Sequence, residues 1–380
     1  MIWGGIELRV EVGPGVPRQL PPELVEALVS VQVSGTTGKR GGFQVTFRLD
    51  KGGTLETLWL PGFELEPFLT RVLIEVRVQG TWHRLMDGVL VKHDLSPSNE
   101  PGRSTLTLTG EDLTALMDLI DLTGVPYPYV PTYGRVLAIL GKYATYGVIP
   151  GVAPDPRMFV DFACTNIQKG TDYAYILKMA EDLGYVFHMD FDRFGNHSVA
   201  YLGPELWFTM PSLPALTVNM GVHSNVDELT FSFDGRKKST HVVWMQESTS
   251  KVVFPIPIPT LEGVFGPVFG TKPQAMRRIV QSQGTIDPTR PAELAKKIGG
   301  LLLKSQDAVT GSGSLDVMRY GHVLRERSRV GVRGASQTYD GTYVVSSVQH
   351  KLKPGESYRQ SFTLTRSGRS TGSPNEEVMI

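Results

Sequence analysis

Residues 170–192, GTDYAYILKMAEDLGYVFHMDFD, hold Asp172, Glu181, Asp182, His188, Asp190 and Asp192 within one short stretch. Side chains of these types can ligate a metal ion or act as a general acid and base. His188, Asp190 and Asp192 share one face of a strand pattern. Alternate strand residues lie about 6.6 Å apart, however, so three in a row do not close on one ion without a second segment. The run D-F-D-R-F-G from Asp190 opens like a calcium loop. Phe194 stands where the third oxygen ligand belongs, and Tyr201 where the closing glutamate belongs. Glu181 and Asp182 would be the pair of a carboxylate hydrolase, but helix neighbours point about 100° apart and do not flank one bond. A solvated helix face accounts for them without chemistry.

The elements that must position these groups follow from periodicity. Thr171 is placed to cap a helix over 171–184, with Asp172 in its first turn and Gly184 as its stop. Tyr173, Ile176, Leu177, Ala180 and Leu183 make its apolar stripe. Beyond Gly184 the period becomes two, with a turn predicted at DRFGN. Upstream, EDLTALMDLIDL and RVLAILGKYATYG carry helical spacing.

The first hundred residues alternate as antiparallel strands: Ile6 to Val12, Val29 to Val33, Phe43 to Leu49, Val72 to Val78, and the Thr/Leu ladder STLTLTG. From about Leu216 the chain is mainly β again, with Asp-Gly pairs at 234–235 and 340–341 predicting hairpins. Helices are expected near 273–283 and 290–304. The expected fold is α+β, mainly β, with a small α+β domain between two β regions. The boundaries are 1–112, 113–204 and 205–368, followed by a polar tail at 369–380.

Composition excludes several classes. The chain has 380 residues, 41% hydrophobic and 20% charged, enough for two or three domains with cores. Lys plus Arg equal Asp plus Glu at 38 each, so no polyanion-binding argument follows from the total charge, and no sequence-specific nucleic-acid contact is expected. Cys164 is the single cysteine, which excludes an intrachain disulfide framework and a thiolate zinc site, and suits assembly in a reducing bacterial cytoplasm. The N-terminus shows no secretory pattern, and no segment reaches the roughly 18 apolar residues of a membrane span. GxSxG, HExxH, GxxxxGK[ST] and GxGxxG are absent. No catalytic residue, metal or cofactor is expected. Arg325, Arg327 and Arg329 are read as solvated turns or contacts.

The segment from Gln168 to Phe187 resembles the central domain of phage late control D proteins and of type VI secretion valine-glycine repeat spike proteins. Gln168, Asp172, Tyr175, Ile176, Ala180, Glu181, Gly184 and Phe187 stand at the matching places. YDGTYVVSSVQHKLKPGESYRQSFTLTR resembles the ending of the same families, through Asp340, Gly341, Tyr343, Val345, Val348, His350, Tyr358, Phe362, Leu364 and Arg366. The likeness covers about 106–204 and 290–366. It implies two tail-tube-like β-barrel domains and a structural baseplate hub of a contractile phage tail or phage-tail-like injection system. Such a hub is a homotrimer joining a sixfold inner tube to a threefold spike. The partners implied are the inner tube protein, a separate spike protein and other baseplate proteins, and the location is the virion tail or injection particle. Val264, Phe265, Val268 and Phe269, too apolar for a free loop, and Asp172 are the candidate interface residues. The alternatives from other classes are a cell-wall or glycan hydrolase, and a glycan-binding β protein using Trp59, Trp82 and Trp207.

Overall fold

The structure, a computed structural model, describes residues 2–100, 102–159, 165–191, 197–205, 210–237, 239–246, 252–258, 278–286 and 308–366. In strand β1 (Ile6–Pro14), Ile6, Leu8, Val10 and Val12 are buried while Glu7, Arg9 and Glu11 turn away from the core. The same period of two builds β2 (Leu28–Thr36), β3 (Gly42–Arg48), β4 (Thr70–Val78), the long β5 (Thr81–Ser96) and β6 (Thr105–Asp112). Then come helix α1 (Thr132–Gly141), β7 (Val148–Val152), helix α2 (Asp172–Leu183), β8 (Val186–Phe191) and β9 (Ser198–Gly203). The last part holds β10 (Ser212–Thr217), β11 (Glu228–Phe233), β12 (Ser239–Gln246), β13 (Val253–Ile258), β14 (Arg278–Ile286), β15 (Val309–Asp316), β16 (Arg329–Arg333), β17 (Gly341–Lys353) and β18 (Ser357–Arg366).

The two β regions are one sheet. Its order runs β1-β4-β5-β6-β3-β2-β17-β18-β15-β11, and the crossing between regions is the pairing of β2 with β17, from Val31↔Leu352 to Thr36↔Ser347. No sheet closes on itself among the described residues. One apolar core draws on both regions, with Phe47, Ile74 and Leu108 from the first and Tyr343, Tyr358 and Leu364 from the second. A second core gathers Ile139 and Leu140 of α1, Ile176, Ala180 and Leu183 of α2, and Phe187, Ala200 and Leu202 of the sheet β7-β9-β8.

Helix α2 starts and stops as its sequence predicts. The Thr171 hydroxyl accepts from the Ala174 N–H at 3.2 Å, and Gly184 closes the helix in the left-handed region at φ 70°. Its phase differs from the predicted stripe. Leu177 is 37% exposed, while Tyr175 and Met179 turn inward with Ile176, Ala180 and Leu183. The stretch after Glu111 makes only a 3-10 turn, Leu113–Asp118, and leaves Ile120 exposed.

Two expectations are corrected. Residues 278–286 are not helical: they form β14, which pairs parallel with β12. The stretch 290–304 lies outside the described residues. The Asp234-Gly235 pair does not close a hairpin between β11 and β12, because β11 instead pairs antiparallel with β15, Leu229 opposite Gly313 and Phe231 opposite Gly311. Those two glycines make the distant pairing possible, since a Cβ on Gly311 would lie 2.8 Å from the Phe231 ring and one on Gly313 3.1 Å from Leu229. At Asp340-Gly341 the connection is longer than a two-residue turn. The Asp340 carboxylate accepts the backbone N–H groups of Gly334, Ala335 and Ser336 at 3.2, 2.8 and 3.2 Å.

The α+β part is fixed to the first β region by a hydrogen bond onto a buried ion pair within that region. Asp87 of β5 has no exposed surface, accepts two bonds of 2.7 Å from Arg71 and takes a third from the Ser198 hydroxyl of β9 at 2.5 Å. Removing one partner of such a pair strands the other, a loss of about 3–5 kcal/mol. Asp87→Ala should therefore lower stability by about that much in urea unfolding, while Ser198→Ala should cost only about 1 kcal/mol. Equal and small losses would show that the pair is not a keystone.

Candidate functional site

Eight strands, β5-β6-β3-β2-β17-β18-β15-β11, form an unbroken antiparallel run through both β regions. Residues directly opposite in such pairs share a face, so the registers define one surface. Thr109 faces Gln44, and Gln44 faces Gln32; Ser34 faces Gln349, then Ser361, then Ser314; Thr36 faces Ser347, then Thr363, Ser312 and Thr230. None of these side chains carries a charge. The row through Gln44 and Gln32 continues into Lys351, Arg359 and Asp316, and Lys92, Asp94 and Glu228 carry charge on the outer strands. Where the run crosses from β2 to β17 there is a shallow trough of about 440 Å³ lined by Ser34, Thr36, Ser312, Ser347, Gln349, Ser361 and Thr363, with Gly313, Val348 and Phe362 at its floor. The hydroxyl and amide groups make the middle of this face wettable.

Of the acids and histidine of residues 170–192, only His188 and Asp190 line a common cavity among the described residues. Asp172 is 1% exposed, and its carboxylate accepts from Lys142 Nζ at 2.9 and 3.1 Å, Tyr143 Oη at 2.9 Å and Gln168 Nε2 at 2.9 Å. The Tyr127 hydroxyl donates to the far side of Gln168 at 2.9 Å. Burial, followed by the hydrogen bond to Asp172, holds the Tyr143 phenol above its usual range. Asp172 was expected at an interface; the structure uses it within the chain, as the pin between α1, α2 and the Gln168 loop. Glu181 and Asp182 are exposed and share Lys178 at 3.6 and 2.7 Å. Asp190 is exposed and Asp192 lies outside the described residues. Among the described residues no group of three His, Cys, Asp or Glu could hold a metal.

His188 lies elsewhere, in a cavity of about 90 Å³ where the three parts of the chain meet. Arg84 and Leu85 line it from the first β region, His188 and Phe191 from β8, and Arg325, Glu326, Arg327 and His350 from the second β region. Periodicity could not have found this meeting; the only signal was the Arg325, Arg327, Arg329 run, of which two members line the cavity. The Glu326 carboxylate sits over Gly35, where a Cβ would lie 2.4 Å from its Oε2. Burial, then the charge of Arg327, pushes the His188 pKa down to about 3. His350 is pushed down to about 3 by burial first and by Arg325 and His83 next, and its Nδ1 meets Tyr358 Oη at 2.8 Å and Gln360 Nε2 at 3.0 Å. Two imidazoles held neutral among arginines are poor proton shuttles at neutral pH.

The other singled-out residues are structural as well. Tyr343, Val345, Val348, Tyr358, Phe362, Leu364 and Arg366 are buried, and Arg366 donates to the carbonyls of Asp340 and Thr338 at 2.9 and 3.0 Å while lying over the Tyr343 ring. Trp59 packs on the core and Trp82 is covered by Arg9 at 4.0 Å. Val264, Phe265, Val268, Phe269, Cys164 and Trp207 lie outside the described residues. No described helix is long and apolar enough to cross a membrane.

No protein-family model matches the chain, and no curated protein sequence matches it. Solved structures do. A tail protein from Neisseria meningitidis matches with TM-score 0.61 and 14% identity over 95% of this chain and 96% of that one. The 43 kDa tail protein of prophage MuSo2 from Shewanella oneidensis matches with TM-score 0.60 and 14% identity over 95% and 98%. An Escherichia coli component of the type VI secretion system, described as structurally similar to the phage T4 tail proteins gp27 and gp5, matches with TM-score 0.52 and 9% identity over 89% and 73%. The chain therefore has the fold of a phage tail protein, shared with a component of type VI secretion.

The buried histidines set an acid limit. Both have folded pKa values below the free value, so the unfolded chain binds more protons. Their contribution is complete above about pH 6.5 and is lost as pH falls towards 3. For His350 the slope is about 1.4 kcal/mol per pH unit below 6.5. Denaturant titrations at pH 7, 6 and 5 should show falling stability, and His350→Gln should flatten the decline; an unchanged slope would refute the assignment.

Proposed function

We propose that this chain is a structural hub of a contractile phage tail or phage-tail-like injection particle, with the hydroxyl-lined face turned towards a central passage. The observation that carries the reading is the unbroken eight-strand run, whose shared face is lined along its middle rows by Ser, Thr and Gln across both β regions. A face that moving cargo slides past needs to be wetted and free of strong binding groups, and Ser, Thr and Gln meet both needs. The tail proteins of Neisseria and of MuSo2, which share the fold over nearly their whole lengths, support the reading.

In this proposal residues 1–112 and 205–368 are two tube-like barrel modules, 113–204 is an inserted α+β domain and 369–380 is a polar tail. Three copies then present six pseudo-equivalent modules to the inner tube on one side and three to a spike protein on the other, with other baseplate proteins around them. Val264, Phe265, Val268 and Phe269 are proposed joints to such neighbours. The particle is put together in the bacterial cytoplasm, and no residue has a catalytic role.

Mass measurement in solution should give a three-copy ring that retains purified tube and spike proteins. A chain that stays monomeric at high concentration and binds neither would end the hub reading. Ser347→Arg together with Thr363→Arg should leave the ring mass unchanged and cut delivery by assembled particles at least tenfold; unchanged delivery would remove the passage role of this face.

A further inference from the structure

Beside the cavity where the three parts of the chain meet, Arg327 has a φ of 56°, in the left-handed region that residues with a side chain rarely adopt. Three bonds hold it there. The Arg327 N–H donates to the Val345 carbonyl at 2.9 Å, the Val345 N–H to that of Ser328 at 2.8 Å, and the Ser328 hydroxyl to that of Arg325 at 2.5 Å. Glycine would relieve such a turn, yet an arginine occupies it, with its side chain only 15% exposed. The turn carries Arg325, Glu326 and Arg327 into the cavity wall, which Arg84 of β5 and His188 of β8 also line. A strained residue held so firmly by its surroundings points to a function for the place it lines.

Two buried polar atoms in this wall have no hydrogen bond among the described residues: Nε of Arg327 and Nδ1 of His188. The carboxylates of Glu205 and Glu326 stay 4.0 and 3.9 Å from the Arg327 guanidinium, too far for a hydrogen bond. Leaving such groups dry is costly, and folded proteins nearly always supply a partner. The cavity has room for one. A single water needs about 10–15 Å³, whereas the cavity holds about 90 Å³, and a hollow of about 30 Å³ that shares His188, Glu326, Arg327 and His350 extends to Lys39. That is space for several waters or for one polyatomic ion.

Charge decides between them. Lys39, Arg84, Arg325 and Arg327 border the two hollows, against Asp112, Asp190 and Glu326. Asp112 is already engaged by the N–H groups of Gly41 and Thr114 at 2.6 and 2.9 Å, and Asp190 is exposed. Arg84 is paired with Glu75 at 3.0 Å, so the direct contacts fall to Arg327 and His188. Burial, followed by the charge of Arg327, keeps the proton off His188. A place that repels a proton favours an anion, and a neutral imidazole can carry its one hydrogen on Nδ1 and donate it.

We propose that this cavity binds one small tetrahedral oxyanion of the phosphate or sulfate class, which accepts from Nε–H of Arg327 and Nδ1–H of His188 within the field of Arg325 and Arg84. The bound ion joins β8 of the α+β part to the 325–329 turn of the second β region, beside Arg84 of the first. It straps the three parts together at the point where the chain's own groups leave donors unmet. The site concerns a single chain and stands whether or not copies assemble.

The test uses the full chain. Equilibrium dialysis against radiolabelled inorganic phosphate, at neutral pH and fixed ionic strength, should give one saturable site per chain, half-filled below about 1 mM, with sulfate competing. Arg327→Gln and His188→Phe, each checked for native circular dichroism, should weaken binding by about tenfold or more, the loss of one hydrogen bond to a charged group. Hydrogen exchange on the unmodified chain is the second measurement and holds even where a variant fails to fold. Phosphate should slow the amides of 186–191 and 325–329 by about threefold or more and leave those of 70–78 unchanged. No saturable binding of phosphate or sulfate up to about 20 mM would overturn the site and show that the cavity holds water alone. Saturable binding that both folded variants retain, or that slows exchange only elsewhere, would overturn the assignment to this cavity.

Discussion

The pairing of β2 with β17 is the constraint on which the rest of the architecture depends. Strands more than three hundred residues apart in sequence meet over Val31–Thr36 and Leu352–Ser347. Without this seam the two β regions would be separate sheets, each with a long open edge. With it, the inner faces of both feed one apolar core, and the outer faces present one surface. Because strand side chains alternate with a period of two, a shift of one residue at the seam would turn the hydroxyl face of one region towards the core of the other. Burial of Val31, Val33, Val348 and Leu352 holds the register.

The α+β part is attached by chemistry of a different kind on each side. Towards the first β region the joint is dry and specific: the Arg71–Asp87–Ser198 group, and Arg40, which bonds Glu111 and Asp118 and lies over the Tyr173 ring at 4.3 Å. Towards the second β region the joint is a polar cavity, lined by His188 and Asp190 of β8 and by Arg325, Glu326, Arg327 and His350.

The same physics engages Asp172 and the two buried histidines. Asp172 is fully engaged by a lysine, a tyrosine and an amide, and an acceptor so satisfied is fixed in place. His188 and His350 are kept neutral by burial next to arginines. Catalytic groups need to be available as well as present. Here Asp172 is spent on holding helices in position.

Much of this was legible in the residues themselves. Period-two alternation from Ile6 to Val12 and the Thr/Leu ladder before Gly110 determined strands and their buried faces, and Thr171 with Gly184 determined the ends of α2, since caps and periodicity act over a few residues. The helix phase, which buries Tyr175 and Met179 and exposes Leu177, was decided by which neighbours the second core supplied. The partner of β11 was decided by Gly311 and Gly313, far along the chain, and not by the adjacent Asp-Gly pair. The seam between β2 and β17, the cavity around His188 and the continuity of the hydroxyl face also came only from tertiary structure. Sequence fixes which side of a strand is apolar through local alternation, but which strands lie side by side depends on long-range packing that no local pattern records.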